Sequence, residues 1–223
     1  MRFAAFETSS EWCSVALAGD GEIRALERRA GQRHSELALP MLEELLENAG
    51  LRVADLQAVA FGAGPGSFTG LRIACGLAQG LALARGLPVI GISSLEAIAQ
   101  ESGASRVVAC IDARMREVYY SALEKEPAGW REVIAAQCIA PEAAPRPPGE
   151  GWIGAGNGFA AYSKMSGNLG LGKVQPEVHP TAMAVAQLAA PRLAAGEGVD
   201  AAHAAPMYVR DKVAFTQEEL ARR

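Results

Sequence analysis

Two acidic side chains stand at the ends of two predicted apolar strands, about 105 residues apart. Glu7 follows the apolar run 3–6, and Asp112 follows the run 107–111. Ligands of open α/β sheets bind beyond the carboxyl ends of the strands, so the two carboxylates are predicted to face each other across a cleft. Carboxylates in such a position can hold a magnesium ion or serve a bound phosphate.

A glycine-rich turn follows a third predicted strand, residues 56–61. Its sequence is Gly64-Pro65-Gly66-Ser67-Phe68-Thr69-Gly70, and a long helix follows it. One interpretation is that it holds an anion at the helix N-terminus, with Ser67 or Thr69 as the cap. The other is that its glycines only let the helix pack tightly. The turn lacks the Gly-Lys-Ser/Thr of a phosphate-binding loop and the pattern of a nucleophile elbow.

Metal and redox motifs are missing from the sequence. Its three histidines form neither an H-x-x-x-H nor an H-E-x-x-H pattern, and its four cysteines contain no C-x-x-C pair. We interpret the cysteines as buried free thiols. A loose dinucleotide fingerprint at residues 156–161 follows a very short predicted strand, and we interpret it as coincidence. We therefore predict no catalytic, metal-binding or cofactor-binding residues.

The composition is that of a folded protein without a membrane span. Half of the 223 residues are apolar and 21% are charged, but no apolar run reaches the ~20 residues that a span needs. The first residues are too few and too acidic for a secretory signal, which predicts a cytoplasmic protein. The formal net charge of −4 argues against a chain that grips RNA by itself, so any contact with nucleic acid is predicted to be indirect.

The predicted elements occur twice. Strands are predicted over residues 3–6, 12–17 and 23–28, and again over 107–111, 118–123 and 132–139. In each set an apolar strand ends in an acid and is followed by a tight turn and an antiparallel strand, which indicates an internal duplication. The pattern predicts an α/β fold of the duplicated actin-like ATPase (ASKHA) type, whose two lobes each contain a mixed sheet and helices. The predicted divisions are a first lobe over 1–103, a second lobe over 104–205, and a C-terminal extended piece and tail over 206–223.

Two predicted helices, about residues 35–49 and 68–85, are expected to dock onto a partner. Between Ile73 and Leu83 the only polar side chain is Gln79, and small residues recur at four-residue spacing, which lets another helix approach closely. The face predicted to cover the sheet consists of Gly70, Ile73, Ala74, Leu77, Leu81 and Ala84. The face predicted to meet the partner consists of Arg72, Cys75, Gly76, Gln79 and Leu83, together with His34, Leu37 and Met41 from the first helix. For His34, a role as an ordinary surface or capping residue is the alternative.

The chain resembles the TsaB family, formerly YeaZ, of tRNA threonylcarbamoyladenosine biosynthesis proteins. The most specific stretches are residues 64–73 and 76–82, supported by residues 7–9, 32–40, 112–119 and 206–210. The resemblance covers the whole chain and implies an actin-like fold in degenerate form. Members usually have Asp where this chain has Glu7, which weakens a phosphate or magnesium role at that position.

The resemblance also implies a function. It implies a non-catalytic subunit that forms a heterodimer with the catalytic paralogue TsaD, works with the ATPase TsaE, and meets tRNA only through the complex. TsaD carries a metal-binding H-x-x-x-H motif, whereas this chain has His34 followed by Ser35 and Ala38. Self-pairing through the same apolar face predicts a homodimer when the paralogue is absent. The alternative function is a stand-alone ATP hydrolase or a glycopeptidase-like enzyme.

Overall fold

The computed structural model describes residues 1–210, and within that range the chain forms two five-stranded mixed sheets. The first sheet consists of β1 (Phe3–Glu7), β2 (Trp12–Gly19), β3 (Glu22–Arg29), β4 (Ala58–Gly64) and β5 (Val89–Ser93), in the order β3-β2-β1-β4-β5. Strand β1 pairs antiparallel with β2 and parallel with β4, and β4 pairs parallel with β5. The hairpin β2–β3 turns at Asp20 and Gly21, both with positive φ, as the Gly-Asp-Gly sequence predicts.

The second sheet repeats the first. It consists of β6 (Arg106–Arg114), β7 (Glu117–Glu126), β8 (Gly129–Ile139), β9 (Ile153–Ala155) and β10 (Lys173–Gln175), in the order β10-β9-β6-β7-β8. Read from its other edge, this is the strand order of the first sheet, with β6 in the place of β1. Glu7 pairs with Ser14 at the end of β1, and Asp112 pairs with Val118 near the end of β6. The predicted fold class, a duplicated α/β arrangement of the actin-like type, is confirmed.

Six α-helices accompany the sheets within residues 1–210. They are α1 (His34–Asn48), α2 (Phe68–Leu83), α3 (Ser94–Glu101), α4 (Gly158–Ala161), α5 (Met165–Leu169) and α6 (Ala182–Ala194). The sequence predicts one helix over about residues 159–165, but the structure has two separate short helices there, α4 and α5. Strand β10 was not predicted, since three residues carry too little periodicity to be recognised. None of the helices in this range combines the length and the apolar character that crossing a bilayer requires.

The two faces of the first sheet are covered by different helices. Ala4 and Phe6 pack toward α1 and α2, whereas Phe3 and Ala5 pack toward α6. This alternation follows from the two-residue period of side chains along a strand. Strand β1 is therefore buried on both sides, which explains why its sequence is apolar without interruption until Glu7.

Helices α3 and α6 connect the two sheets. Helix α3 follows the first sheet in the chain and packs both on β4 and β5 of that sheet and on β6 and β7 of the second, whereas α6 follows the second sheet but packs on β1, β2 and β4 of the first. The two helices also contact each other, through a hydrogen bond from Gln100 to Gln187 (2.8 Å) and an ion pair between Arg192 and Glu96 (2.6 Å). The predicted second lobe, 104–205, thus contributes α6 to the core of the first sheet, and the division of the chain into lobes stays a prediction.

We predict that Arg192→Ala destabilises the protein more than removal of a surface ion pair does. The Glu96 side chain is only 15% exposed, and this partial burial raises the pKa of its carboxyl group, a shift that Arg192 opposes. Without Arg192 the carboxylate loses its partner, at a cost of about 1–3 kcal/mol in the free energy of unfolding. Urea denaturation measures this cost. The control is Arg28→Ala, which removes an exposed pair with Glu44 (2.8 Å) and should cost less than about 1 kcal/mol. Equal losses from the two variants would contradict the prediction.

Candidate functional site

A cavity of about 700 Å³ lies between the carboxyl ends of the two sheets. Its walls come from five segments of the chain: residues 9–12, 65–68, 112–114, 176–179 and 207–210, with Leu71, Tyr119 and Asn157 between them. This is the position at which open α/β sheets bind ligands, since the chain reverses there and leaves a crevice. The cleft predicted from the two acidic strand ends therefore exists, but its chemistry differs from the prediction.

Glu7 does not face the cleft. Its side chain is fully buried, where Oε1 accepts a hydrogen bond from the Ser9 amide (2.6 Å) and Oε2 accepts one from the Ser94 hydroxyl (3.4 Å). Gly62 makes room for it, because a Cβ at that position would lie 1.8 Å from Glu7 Oε2. Burial raises the pKa of the Glu7 carboxyl group. The expectation that Glu7 and Asp112 face each other is therefore wrong.

Asp112 does line the cleft, but neighbouring residues engage both of its carboxylate oxygens. Oδ1 accepts a hydrogen bond from the Arg114 amide (2.9 Å), and Oδ2 pairs with the Arg114 guanidinium (3.0 Å). These bonds stabilise the β6–β7 hairpin, in which Arg114, Met115 and Arg116 all have left-handed φ angles of 54–62°. Among residues 1–210, no group of three His, Cys, Asp or Glu side chains could hold a metal ion.

The glycine-rich turn packs directly on the β1–β2 connection. A Cβ at Gly70 would lie 1.9 Å from the carbonyl oxygen of Thr8, and one at Gly66 would lie 2.6 Å from Ser9 Cβ. The Ser67 amide donates to the Ser9 carbonyl (2.8 Å), and the Ser67 hydroxyl caps α2 by accepting from the Gly70 amide (3.4 Å). Of the two open interpretations, this geometry favours tight packing, since a protein carbonyl already occupies the Ser67 amide.

Two of the predicted partner-facing residues of α1 lie inside the first lobe. His34 is buried, with Nε2 2.9 Å from the Ser10 carbonyl oxygen, and Met41 is completely buried in the core. Leu37 is only partly buried, at the edge of that core. The reason is the phase of the helix, since His34, Ala38 and Met41 form one stripe that faces the sheet.

The predicted faces of α2 also need correction. The stripe that covers the sheet is fully buried and consists of Gly70, Leu71, Ala74, Cys75, Ala78 and Ala82. Ile73, Leu77 and Leu81, predicted to lie in it, are only partly buried, and Ala84 is exposed. Cys75 and Gln79 both bond to the carbonyl oxygen of Ala204, at 3.5 and 3.0 Å, because the C-terminal segment returns along this side of the helix.

An exposed surface remains on the side of α1 and α2 that faces away from the sheet. Of the predicted residues, Arg72, Gly76 and Leu83 are exposed there. Leu39 and Phe68 are also exposed, at 41% and 45%, and Leu83 reaches 62%. A Cβ at Gly76 or Gly80 would meet no atom within 4 Å. We call the outer face the set Leu39, Phe68, Arg72, Gly76, Gly80 and Leu83, of which Phe68, at the start of α2, also lines the cleft.

His179 is a residue of the cleft wall that sequence reasoning did not single out. Its ring stacks on Trp12, with centroids 5.2 Å apart, and its Nε2 lies 3.1 Å from Glu27 Oε1. Glu27 raises the pKa of this imidazole. These contacts tie the segment before α6 to β2 and β3. No local pattern marks the position, because its partners lie more than 150 residues away in the chain.

Comparison with known proteins identifies the family. A family model described as "TsaD: tRNA N6-adenosine threonylcarbamoyltransferase" matches residues 27–151. The tRNA threonylcarbamoyladenosine biosynthesis protein TsaB of Escherichia coli K12 is 39% identical over 96% of this chain and 97% of its own length. The TsaB of Haemophilus influenzae is also 39% identical, over 95% and 94%. This chain belongs to the TsaB family.

Solved structures agree with this assignment. A Pseudomonas aeruginosa protein described as similar to peptidase YeaZ superposes with a TM-score of 0.89 at 38% identity, covering 94% of this chain and 99% of that one. YeaZ from the same organism gives a TM-score of 0.86 at 36% identity, covering 93% and 99%. The predicted resemblance is confirmed, and this TsaB-family chain has a role in tRNA threonylcarbamoyladenosine biosynthesis.

We predict that Glu7→Gln makes this TsaB-family protein more stable than the wild type above pH ~4.5. Burial raises the folded-state pKa of Glu7 above the ordinary value of a glutamate, 4.5, so the folded protein binds more protons than the unfolded chain in this range. Stability then falls as the pH rises through this range. Glutamine keeps the acceptor for Ser9 and cannot ionise, which removes this loss. Urea denaturation between pH 4.5 and 8 measures the difference, and parallel stability curves for the two proteins would contradict the prediction.

Proposed function

We propose that this chain is a non-catalytic subunit that binds the catalytic paralogue TsaD and activates it for threonylcarbamoyl adenosine formation next to the tRNA anticodon. The heterodimer works together with the ATPase TsaE in the cytoplasm. The observation that carries the proposal is the outer face of α1 and α2. It combines exposed apolar side chains with glycines that leave open space on the helix surface.

The outer face has the properties of a helix-docking surface. Leu39, Phe68 and Leu83 expose 41–62% of their surface on two neighbouring helices. Gly76 and Gly80, one turn apart, leave a shallow groove into which the ridge of another helix fits. Large exposed apolar side chains grouped in this way are typical of interaction sites. Arg72 stacks its guanidinium 3.8 Å above the Phe68 ring and so adds a charged group that is held in place.

The cleft supports a non-catalytic role. The Glu7 side chain is buried away from the cleft and the Asp112 carboxylate is bonded to Arg114, so these two strand-end acids do not meet there. Burial raises the pKa of the Cys13 thiol to about 11 and that of Cys110 to about 12, which keeps both protonated and unreactive. The formal net charge of −4 favours contact with tRNA through the partner rather than directly.

We predict that Gly76→Leu blocks docking without disturbing the fold. Its side chain would point into open space, and replacing a helical glycine should if anything stabilise α2, by up to about 1 kcal/mol. Bulk at the groove should weaken TsaD binding at least tenfold, which corresponds to about 1.4 kcal/mol. Co-elution in size-exclusion chromatography, calorimetric affinity and threonylcarbamoyl adenosine yield are the measurements.

The matched control is Gly167→Leu. Gly167 is an exposed helical glycine in α5, and a Cβ there also meets no atom within 4 Å. It should leave TsaD binding and tRNA modification at wild-type levels. If Gly76→Leu melts normally, binds TsaD normally and supports full modification, the interface lies elsewhere. The same pair of variants reports on self-association, since a homodimer through the outer face would be lost in Gly76→Leu alone.

We predict that the purified chain alone does not hydrolyse ATP above the buffer rate. This experiment separates the subunit from the alternative, a stand-alone ATP hydrolase or glycopeptidase-like enzyme. Asp112→Asn identifies the origin of any signal, because Asp112 is the acidic strand end that lines the cleft. Turnover that persists through purification and disappears in Asp112→Asn would establish an enzyme. Turnover that is the same in both proteins would come from a contaminant.

A further inference from the structure

Residues 206–210, which we call the strap, cross the cleft from the first sheet to the second. At one end the Met207 amide donates a hydrogen bond to the carbonyl oxygen of Ala63 (2.7 Å), the second-last residue of β4. At the other end the Arg210 guanidinium donates to the Ala113 carbonyl oxygen (3.0 Å), near the end of β6. The strap therefore binds backbone carbonyls at the carboxyl end of one strand in each lobe.

The strap contacts the first lobe closely at Gly64. Gly64 has a φ of 115°, and a Cβ there would lie 2.9 Å from the carbonyl oxygen of Met207. Glycine is thus needed at this position both for its backbone conformation and for the close approach of the strap. The Tyr208 ring contacts the Phe68 ring at 5.9 Å between centroids, and its hydroxyl accepts a hydrogen bond from Arg72 Nε (3.4 Å).

The contact between the strap and the second lobe is an ion pair that is largely shielded from water. Arg210 forms an ion pair with Glu117 at 2.7 Å, and the two side chains expose only 12% and 22% of their surface. The same guanidinium lies 5.7 Å from the centre of the Tyr119 ring. Shielded, charge-assisted bonds of this kind are stronger than those on an open surface.

We propose that the strap is a clamp that holds the two lobes at one fixed opening and occupies the mouth of the cleft. A ligand that approached the carboxyl ends of β4 and β6 would meet Met207 and Arg210 first, because those carbonyls are already bonded to the strap. The chain itself thus fills part of the position that a ligand takes in other open α/β sheets. The proposal rests on these contacts and not on the proposed partner.

Hydrogen exchange of the full-length protein tests the clamp. In Arg210→Ala, backbone amides in residues 204–210 and at the strand ends 61–64 and 111–114 should exchange at least tenfold faster. Acceleration at 61–64 is the decisive result, since these residues lie in the other lobe from the mutated ion pair. Residues 182–194 of α6 should exchange at the wild-type rate, which separates release of the strap from general destabilisation. Arg28→Ala, which removes an Arg–Glu pair within the first lobe, is the control and should change none of these rates.

A second pair of variants releases the other end. Tyr208→Ala should accelerate exchange at 111–114, whereas Tyr208→Phe, which keeps the ring on Phe68, should have a smaller effect. Unchanged exchange at 61–64 in Arg210→Ala together with unchanged exchange at 111–114 in Tyr208→Ala would overturn the proposal. Gly76→Leu should leave these rates at wild-type values, so the clamp and the docking proposal fail or succeed separately.

Discussion

The packing of α3 and α6 between the two sheets is the constraint on which the rest of the structure depends. One face of the first sheet is covered largely by α6 from the second half of the chain, and one face of the second sheet is covered by α3 from the first half. Neither half can bury its apolar surface alone, so the duplicated lobes must fold together even though each repeats a complete strand order. The cleft then lies where the two sheets' carboxyl ends meet across this helical layer.

The same constraint determines where a partner can bind. Because α6 covers one face of the first sheet, α1 and α2 must cover the other, and their sheet-facing stripes are fully buried. The returning segment 201–204 then covers the flank of α2 at Cys75 and Gln79. What remains accessible is a narrow strip with Gly76 and Gly80 at its centre. The outer face is therefore the part of α1 and α2 that stays exposed after the sheet and segment 201–204 have covered the other sides of these helices.

Sequence reasoning succeeded where the signal was local and was wrong where a distant segment decided the outcome. Most strands and the two helices α1 and α2 follow from periodicity and turn residues, which are visible within about fifteen residues. The duplication follows from the recurrence of that pattern, with its strand-end acid, about 105 residues later. The buried positions of Cys75 and Gln79 depend on Ala204, more than 120 residues away, and no local pattern encodes that return. His34 and Met41 were misplaced for a smaller reason, because they lie on the same buried stripe of α1 as Ala38 and were assigned to the partner instead of the sheet.

The two acids at equivalent strand ends lie in different surroundings. Asp112 keeps its carboxylate at the cleft wall, whereas Glu7, longer by one methylene, turns away from the cleft beneath the end of β1. Three features allow this orientation of the Glu7 side chain. The Ser9 amide and the Ser94 hydroxyl donate hydrogen bonds to its carboxyl group, and Gly62 has no side chain that would fill the same space. Ser94 is the first residue of α3, the helix that packs on the second sheet as well as on the first. The buried carboxyl group thus binds the first residue of a helix that packs on both sheets, so Glu7 contributes to the contact between the lobes and not to the cleft wall.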